Sequence, residues 1–127
     1  MSLDKLVSEV MSERVTTLES TVNLLQAIQT MARANIGALV VVDQGDPVGI
    51  FSERDLLKRV IAKGISPRDT TLGAVMTPKL ICVPPSTPIK EVVQKMYTMA
   101  IRHMLVMEGG QLKGIFSQRD MMRHLLV

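Results

Sequence analysis

Aromatic side chains are nearly missing from this sequence, which has two Phe, one Tyr and no Trp, 2% of the chain. Proteins that hold single-stranded nucleic acid stack its bases on aromatic rings, so the composition argues against that class. An excess of one charge is missing too. Fifteen Lys and Arg against twelve Asp and Glu leave +3, scattered along the chain, too little for a protein that lives on nucleic-acid phosphates. Cys82 is the only cysteine, which excludes an intrachain disulfide, and with just His103 and His124 there is no ligand cluster for a structural metal. The longest near-continuous apolar run, 36–42, is seven residues with a Gly inside it. A bilayer-crossing helix needs ~20, so no membrane partner is expected. Asp4, Lys5 and Glu9 fall where a secretory signal needs an uncharged apolar stretch, so the expected location is cytoplasmic. What remains, 46% hydrophobic and 21% charged over 127 residues, is the composition of a folded domain.

The sequence repeats itself. GIFSERD at 49–55 returns as GIFSQRD at 114–120, a shift of 114 − 49 = 65. Without a gap the same shift superposes Val10-Met11 on Val75-Met76, Gln29 on Gln94, Met31 on Met96, Ile36 on Ile101, Val41 on Val106 and Gly45 on Gly110. The chain therefore divides into two copies, 1–65 and 66–127. A unit this small buries only about 60% of its unfolded surface, which predicts that the copies share one core, packed sheet to sheet with pseudo-two-fold symmetry.

Within each copy the apolar period changes in a fixed order. Residues 15–18 and 80–83 are short β-branched runs that read as strands. In the second copy Ile89, Val92, Val93, Met96 and Ala100 form one helical stripe, with Thr87 as N-cap and Pro88 at the first helical position. Leu24, Ile28 and Met31 give the first copy a similar stripe. Residues 38–43 and 103–108 read as strands, turned at Gln44-Gly45-Asp46 and Gly109-Gly110 into strands over 48–51 and 112–116. Ser52 and Ser117 start the last helices, and Lys63-Gly64 with Pro67 closes the first copy. The predicted class is α/β (α+β), each copy running strand, helix, strand, strand, helix.

The heptapeptide carries the chemistry. A helix starting at Ser52 or Ser117 offers unpaired N–H groups and a positive dipole end to an anion, and each hydroxyl adds a donor. Asp55 or Asp120, three residues on, presents two oxygens to the vicinal hydroxyls of a ribose. Arg54 and Arg119 bring fixed charge for a phosphate. Ser-x-x-Asp is equally a capping box that needs no ligand. Gly37-Ala38 of the first copy becomes Arg102-His103 in the second, which predicts unequal sites. His124 reads as structural. Seven of the ten Met lie in the second copy, and Met99, Met121 and Met122 sit on stripes wide enough to leave a partner surface.

The paired motifs resemble the CBS domain (cystathionine β-synthase domain) in tandem, the Bateman module, over nearly the whole chain. The resemblance rests on Met11-Ser12 and Met76-Thr77-Pro78, on the strands Val41-Val42-Asp43 and Val106-Met107-Glu108, and on two complete Gly-x-x-Ser-x-x-Asp signatures, Gly49, Ser52, Asp55 and Gly114, Ser117, Asp120. It implies that an adenine lies near Thr17, Ile36 and Ala38 in one copy and near Cys82, Ile101 and His103 in the other. It also implies that Arg102 and His103 reach phosphates in the cleft between copies, and that the chain forms a homodimer. The expected function is a stand-alone regulatory, energy-sensing pair. It binds AMP, ADP, ATP or NAD, AMP first among them, as a regulatory ligand rather than a required cofactor, and modulates an unidentified effector protein. The alternatives are a ligand-free dimerisation scaffold and an S-adenosylmethionine sensor. Catalysis is not expected. No nucleophile elbow, oriented Ser-His pair or acid-base carboxylate pair is legible.

Overall fold

The computed structural model of the chain describes residues 3–125, so residues 1–2 and 126–127 of the two sequence halves lie outside it. The first repeat contributes β1 (Thr17–Glu19), α1 (Leu24–Ala34), β2 (Ala38–Asp43) and β3 (Asp46–Ser52). Its last helix is α-wound over α2 (Glu53–Asp55) and π-wound over Leu56–Ile61. A short α3 (Leu72–Val75) precedes the second set: β4 (Cys82–Val83), α4 (Ile89–Met99), β5 (His103–Glu108), β6 (Gln111–Ser117) and α5 (Gln118–Leu125). There are two three-stranded sheets, β1-β2-β3 and β4-β5-β6, each with one parallel and one antiparallel pairing. This is the predicted order, with the opening strands shorter and slightly later than expected.

The local reasons are readable. Asn23 caps α1 by accepting from Leu25 N at 3.1 Å, and α1 ends on Asn35 in the left-handed region at φ 54°. The turns at Gln44-Gly45 and Gly109-Gly110 have positive φ at both residues, which matches the twist of the flanking strands. Thr87 does not cap α4. Its hydroxyl donates to Pro84 O at 2.8 Å, Pro88 stays extended at ψ 145°, and the helix begins at Ile89. The 65-residue shift places Ala100 where α1 has Asn35, and it takes the same left-handed conformation at φ 55°. An alanine pays about 1–2 kcal/mol there that asparagine largely avoids. Ala100→Asn is therefore expected to stabilise the protein by about 0.5–1 kcal/mol, read as a rise of a few degrees in melting temperature.

The chain condenses into two compact units, Thr16–Leu80 and Met1–Val15 with Ile81–Val127. These units cut across the sequence halves 1–65 and 66–127, because each takes its leading segment from the start of the other repeat. In the 16–80 unit, Thr70 O accepts from Leu24 N at the start of α1, and Leu72 and Val75 join the core. The leader then makes an isolated antiparallel bridge, Ile50 to Thr77. In the 81–127 unit, Lys5 O and Leu3 O accept from Ile89 N and Lys90 N of α4. Val7 and Val10 join that core, and Ser12 bridges Ile115. Helix starts carry N–H groups that no turn of helix can satisfy, and the leaders supply the carbonyls.

Each unit has its own cluster of buried apolar residues. One contains Leu24, Leu39, Val41, Phe51, Val60 and Leu72, the other Val7, Ile89, Val92, Met104, Val106 and Phe116. The borrowed valines and leucine let a body of about sixty residues close its own apolar interior.

Candidate functional site

At one end of each sheet the chain brings together the starts of two strands and the end of the third. In the 16–80 unit Thr17 lies opposite Val40, and Ala38 opposite Ser52. The other unit has the same register, Cys82 opposite Leu105 and His103 opposite Ser117. Ile36 and Ile101 follow the left-handed ends of α1 and α4, donate to Met31 O and Met96 O, and lean on the core of their own unit. Ala38 is buried, Thr17 is exposed, and Cys82 and His103 are half-buried. Sequence-predicted residues 17, 36, 38, 52 and 55 thus share one sheet end, and 82, 101, 103, 117 and 120 share the other. Arg54, Arg102 and Arg119 point their positions to solvent.

The two acidic residues are buried, each 7% exposed, and are the only buried charged side chains among the described residues. Asp55 Oδ2 accepts from Ser52 N at 2.9 Å and Ser52 Oγ at 3.0 Å, while Ser52 Oγ accepts from Asp55 N at 3.3 Å. Asp120 is built alike, accepting from Ser117 N and Ser117 Oγ at 2.9 Å, with Ser117 Oγ accepting from Asp120 N at 3.0 Å. Both are closed capping boxes. The helix starts are less open than expected. Glu53 N donates to Gly37 O at 3.0 Å and Gln118 N to Arg102 O at 2.9 Å, so the first and third amides of each helix are already satisfied within the chain. The physical reason is that the loop before the middle strand returns a carbonyl to the helix tip.

Three residues that the sequence did not single out as site residues complete the cluster. Thr77 Oγ1 donates to Asp55 Oδ1 at 2.7 Å, Arg59 Nε lies 3.3 Å from the same oxygen, and Arg123 Nη2 donates to Asp120 Oδ1 at 3.0 Å. The arginines could have been found from their spacing of four and three residues along a helix. Thr77 was quotable as part of a hallmark, but its reach to Asp55 spans twenty-two residues and leaves no local signal.

Both signature glycines have a structural cause. A Cβ at Gly49 would lie 2.6 Å from Thr77 O, and one at Gly114 would lie 2.8 Å from Ser12 O. The leader passes directly over each. No group of three or more metal-ligating side chains exists among the described residues, and none of their helices is long and apolar enough to cross a membrane. Met121 packs on the core of its unit, whereas Met122 is 56% exposed and Met99 36% exposed.

The family model for the CBS domain matches residues 7–62 and again 72–127. A relative from Arabidopsis thaliana, the mitochondrial CBS domain-containing protein CBSX3, is 38% identical over 102 residues, 76% of this chain. The chain spans half the length of that relative. A solved CBS-domain protein from Burkholderia ambifaria, assigned to signal transduction, superposes with a TM-score of 0.90 at 30% identity, covering 96% of this chain and 94% of that one. The CBS domain pair of protein MJ0100, solved with 5′-methylthioadenosine and S-adenosyl-L-methionine, gives a TM-score of 0.84 at 26% identity over 95% of this chain and 99% of that one.

Proposed function

Because this chain belongs to the CBS-domain family and carries the domain twice, we propose that it is a regulatory module whose sheet ends take an adenosyl compound and pass the occupancy on to a protein partner. The observation that carries the reading is the buried aspartate at each sheet end, Asp55 and Asp120, whose oxygens are held by hydroxyl, amide and guanidinium donors of the chain itself. Such a carboxylate keeps its acceptors satisfied while the site is free, and a ribose diol offers equivalent donors in exchange. The adenine is assigned to Thr17, Ile36 and Ala38 in one unit and to Cys82, Ile101 and His103 in the other, because the register places these residues beside the aspartate-bearing turns. Arg54, Arg102 and Arg119 are the cations for a phosphate or an acidic tail.

AMP, ADP, ATP and NAD share this adenosyl head, and AMP is the first candidate. The relative solved with 5′-methylthioadenosine and S-adenosyl-L-methionine supports the sulfur-bearing compounds as the second reading. A regulatory module needs no nucleophile. A symmetric homodimer is part of the proposal. Leu57 and Met122, equivalent under the repeat, are 61% and 56% exposed on the last helices and give a second copy an apolar surface to cover.

Thermal melting with AMP, ATP, NAD and S-adenosylmethionine tests the reading. A ligand at one hundred times its dissociation constant stabilises the fold by about 2.7 kcal/mol, a rise of roughly 10 °C for a chain of this length. A panel in which no compound moves the transition would leave the scaffold reading, in which both boxes are caps and nothing more.

A further inference from the structure

The two signatures are alike in sequence and unlike in how they are closed. The Asp55 carboxylate accepts at Oδ2 from Ser52 N and Oγ and at Oδ1 from Thr77 Oγ1 at 2.7 Å, with Arg59 Nε paired to the same Oδ1 at 3.3 Å. Thr77 belongs to the leader, 66–80, and Arg59 holds the same segment a second time by donating through Nη1 to Met76 O at 3.3 Å. At Asp120 the leader takes no part. Position 77 corresponds to Ser12 (77 − 65 = 12), whose hydroxyl turns away to Arg14 O at 3.4 Å, and position 59 to His124 (59 + 65 = 124). Asp120 Oδ1 accepts from Arg123 of its own helix, so its hydrogen bonds from Ser117 N, Ser117 Oγ and Arg123 all come from within 117–123. The arginines differ by position: the first copy has Arg59 four residues after its aspartate and Lys58 three after, the second has His124 and Arg123 there.

We infer that Thr77 and Arg59 are positioning residues that latch Asp55 to the leader, so that an adenosyl ligand fills the Asp120 end first and opens the latch when it fills the Asp55 end. The inference rests on the adenosyl reading above. A sugar hydroxyl that takes Asp55 Oδ1 competes with the part-buried tie to Thr77, whereas at Asp120 Oδ1 it meets Arg123, 65% exposed and free to swing out, and that competition weakens binding at Asp55 relative to Asp120. Linkage makes the effect reciprocal: whatever the latch takes from ligand affinity, the ligand takes from the latch. The leader runs on without a break into Ile81 and β4, so an opened latch is a change next to one of the two covalent connections between the units, 80–81, the other being 15–16.

Calorimetric titration of the full chain with AMP and with S-adenosylmethionine, read beside amide hydrogen exchange at Thr77 and Ser12, is the test. Two classes of site are expected, the tighter lost in Asp120→Asn and the weaker in Asp55→Asn. Thr77→Val tightens the weaker site about tenfold, equivalent to about 1.4 kcal/mol, and speeds exchange of the Thr77 amide without ligand. Thr77→Ser, which keeps the hydroxyl, behaves as the wild type. Saturating probe speeds exchange at Thr77 in the wild type and does not speed it at Ser12. Should Thr77→Val not fold, Arg59→Met, at a side chain 44% exposed, takes its place with the same expectations. Equal sites, or a Thr77→Val protein with wild-type affinity and exchange, would overturn the latch. If the wild type binds neither probe, the adenosyl reading and the order of filling fall together, and the exchange comparison of Thr77→Val with Thr77→Ser alone decides the latch.

Discussion

Gly49→Ala and Gly114→Ala each lower stability by about 3–5 kcal/mol, a fall of roughly 10–20 °C in melting temperature. The added Cβ at Gly49 meets Met76 Sδ at 2.7 Å and Thr77 O at 2.6 Å, and at Gly114 it meets Met11 Sδ at 2.5 Å and Ser12 O at 2.8 Å. A thioether can swing aside. The carbonyl oxygens cannot, because each accepts from the facing strand, Thr77 O from Ile50 N at 3.0 Å and Ser12 O from Ile115 N at 2.9 Å. Relief requires strand and leader to part, which gives up two backbone hydrogen bonds, about 1 kcal/mol each, beside the overpacking itself at about 1–3 kcal/mol. Gly110→Ala is the control. It has open space around the new methyl group and only its φ of 78° against it, so it loses about 1–2 kcal/mol. Urea denaturation of the three variants separates crowding from backbone conformation, and three equal losses would refute the crowding account.

Asp55→Ala and Asp120→Ala carry the second large expectation. Each removes a cap worth ~1 kcal/mol and strands charge-assisted donors. The loss at Asp55 is the larger, about 3 kcal/mol against about 2 at Asp120, because Thr77 Oγ1 is also left without its acceptor. The arginines weigh little in this ranking, since Arg59 is 44% and Arg123 65% exposed. The decisive readout is the ligand-induced rise. If the carboxylates grip a diol, the double variant melts at the same temperature with and without nucleotide. If they only cap helices, the double variant is weaker but keeps the full ligand-induced shift, and the proposed function fails at its central residues.

What was legible in the sequence was what is local. The strands Ala38–Asp43 and His103–Glu108 fall where the apolar runs put them, and the turn chemistry fixes both hairpins. Ser52 and Ser117 stand at helix starts, because a small hydroxyl before an acidic residue three places on encodes a cap directly. The leaders were not legible. Val7, Val10, Leu72 and Val75 are too few and too irregularly spaced to show a period, and their partners lie far along the chain. The same distance hid Thr77 from Asp55 and the real cause of the two glycines. The helix tips were misjudged for a related reason: the carbonyls of Gly37 and Arg102 that satisfy them come from a loop, whose path no periodicity predicts.

The borrowed leaders also set an order of events on the ribosome. The body of residues 16–80 has all its parts once residue 80 has emerged, and it can close while the rest is still being made. The opening segment with Val7 and Val10 leaves the tunnel well before α4 and β6, whose Ile89, Lys90 and Ile115 pair with its backbone and whose side chains give it a core. It must wait as an unhoused apolar strip while the residues up to β6 are made, and over that interval a chaperone has time to act on it.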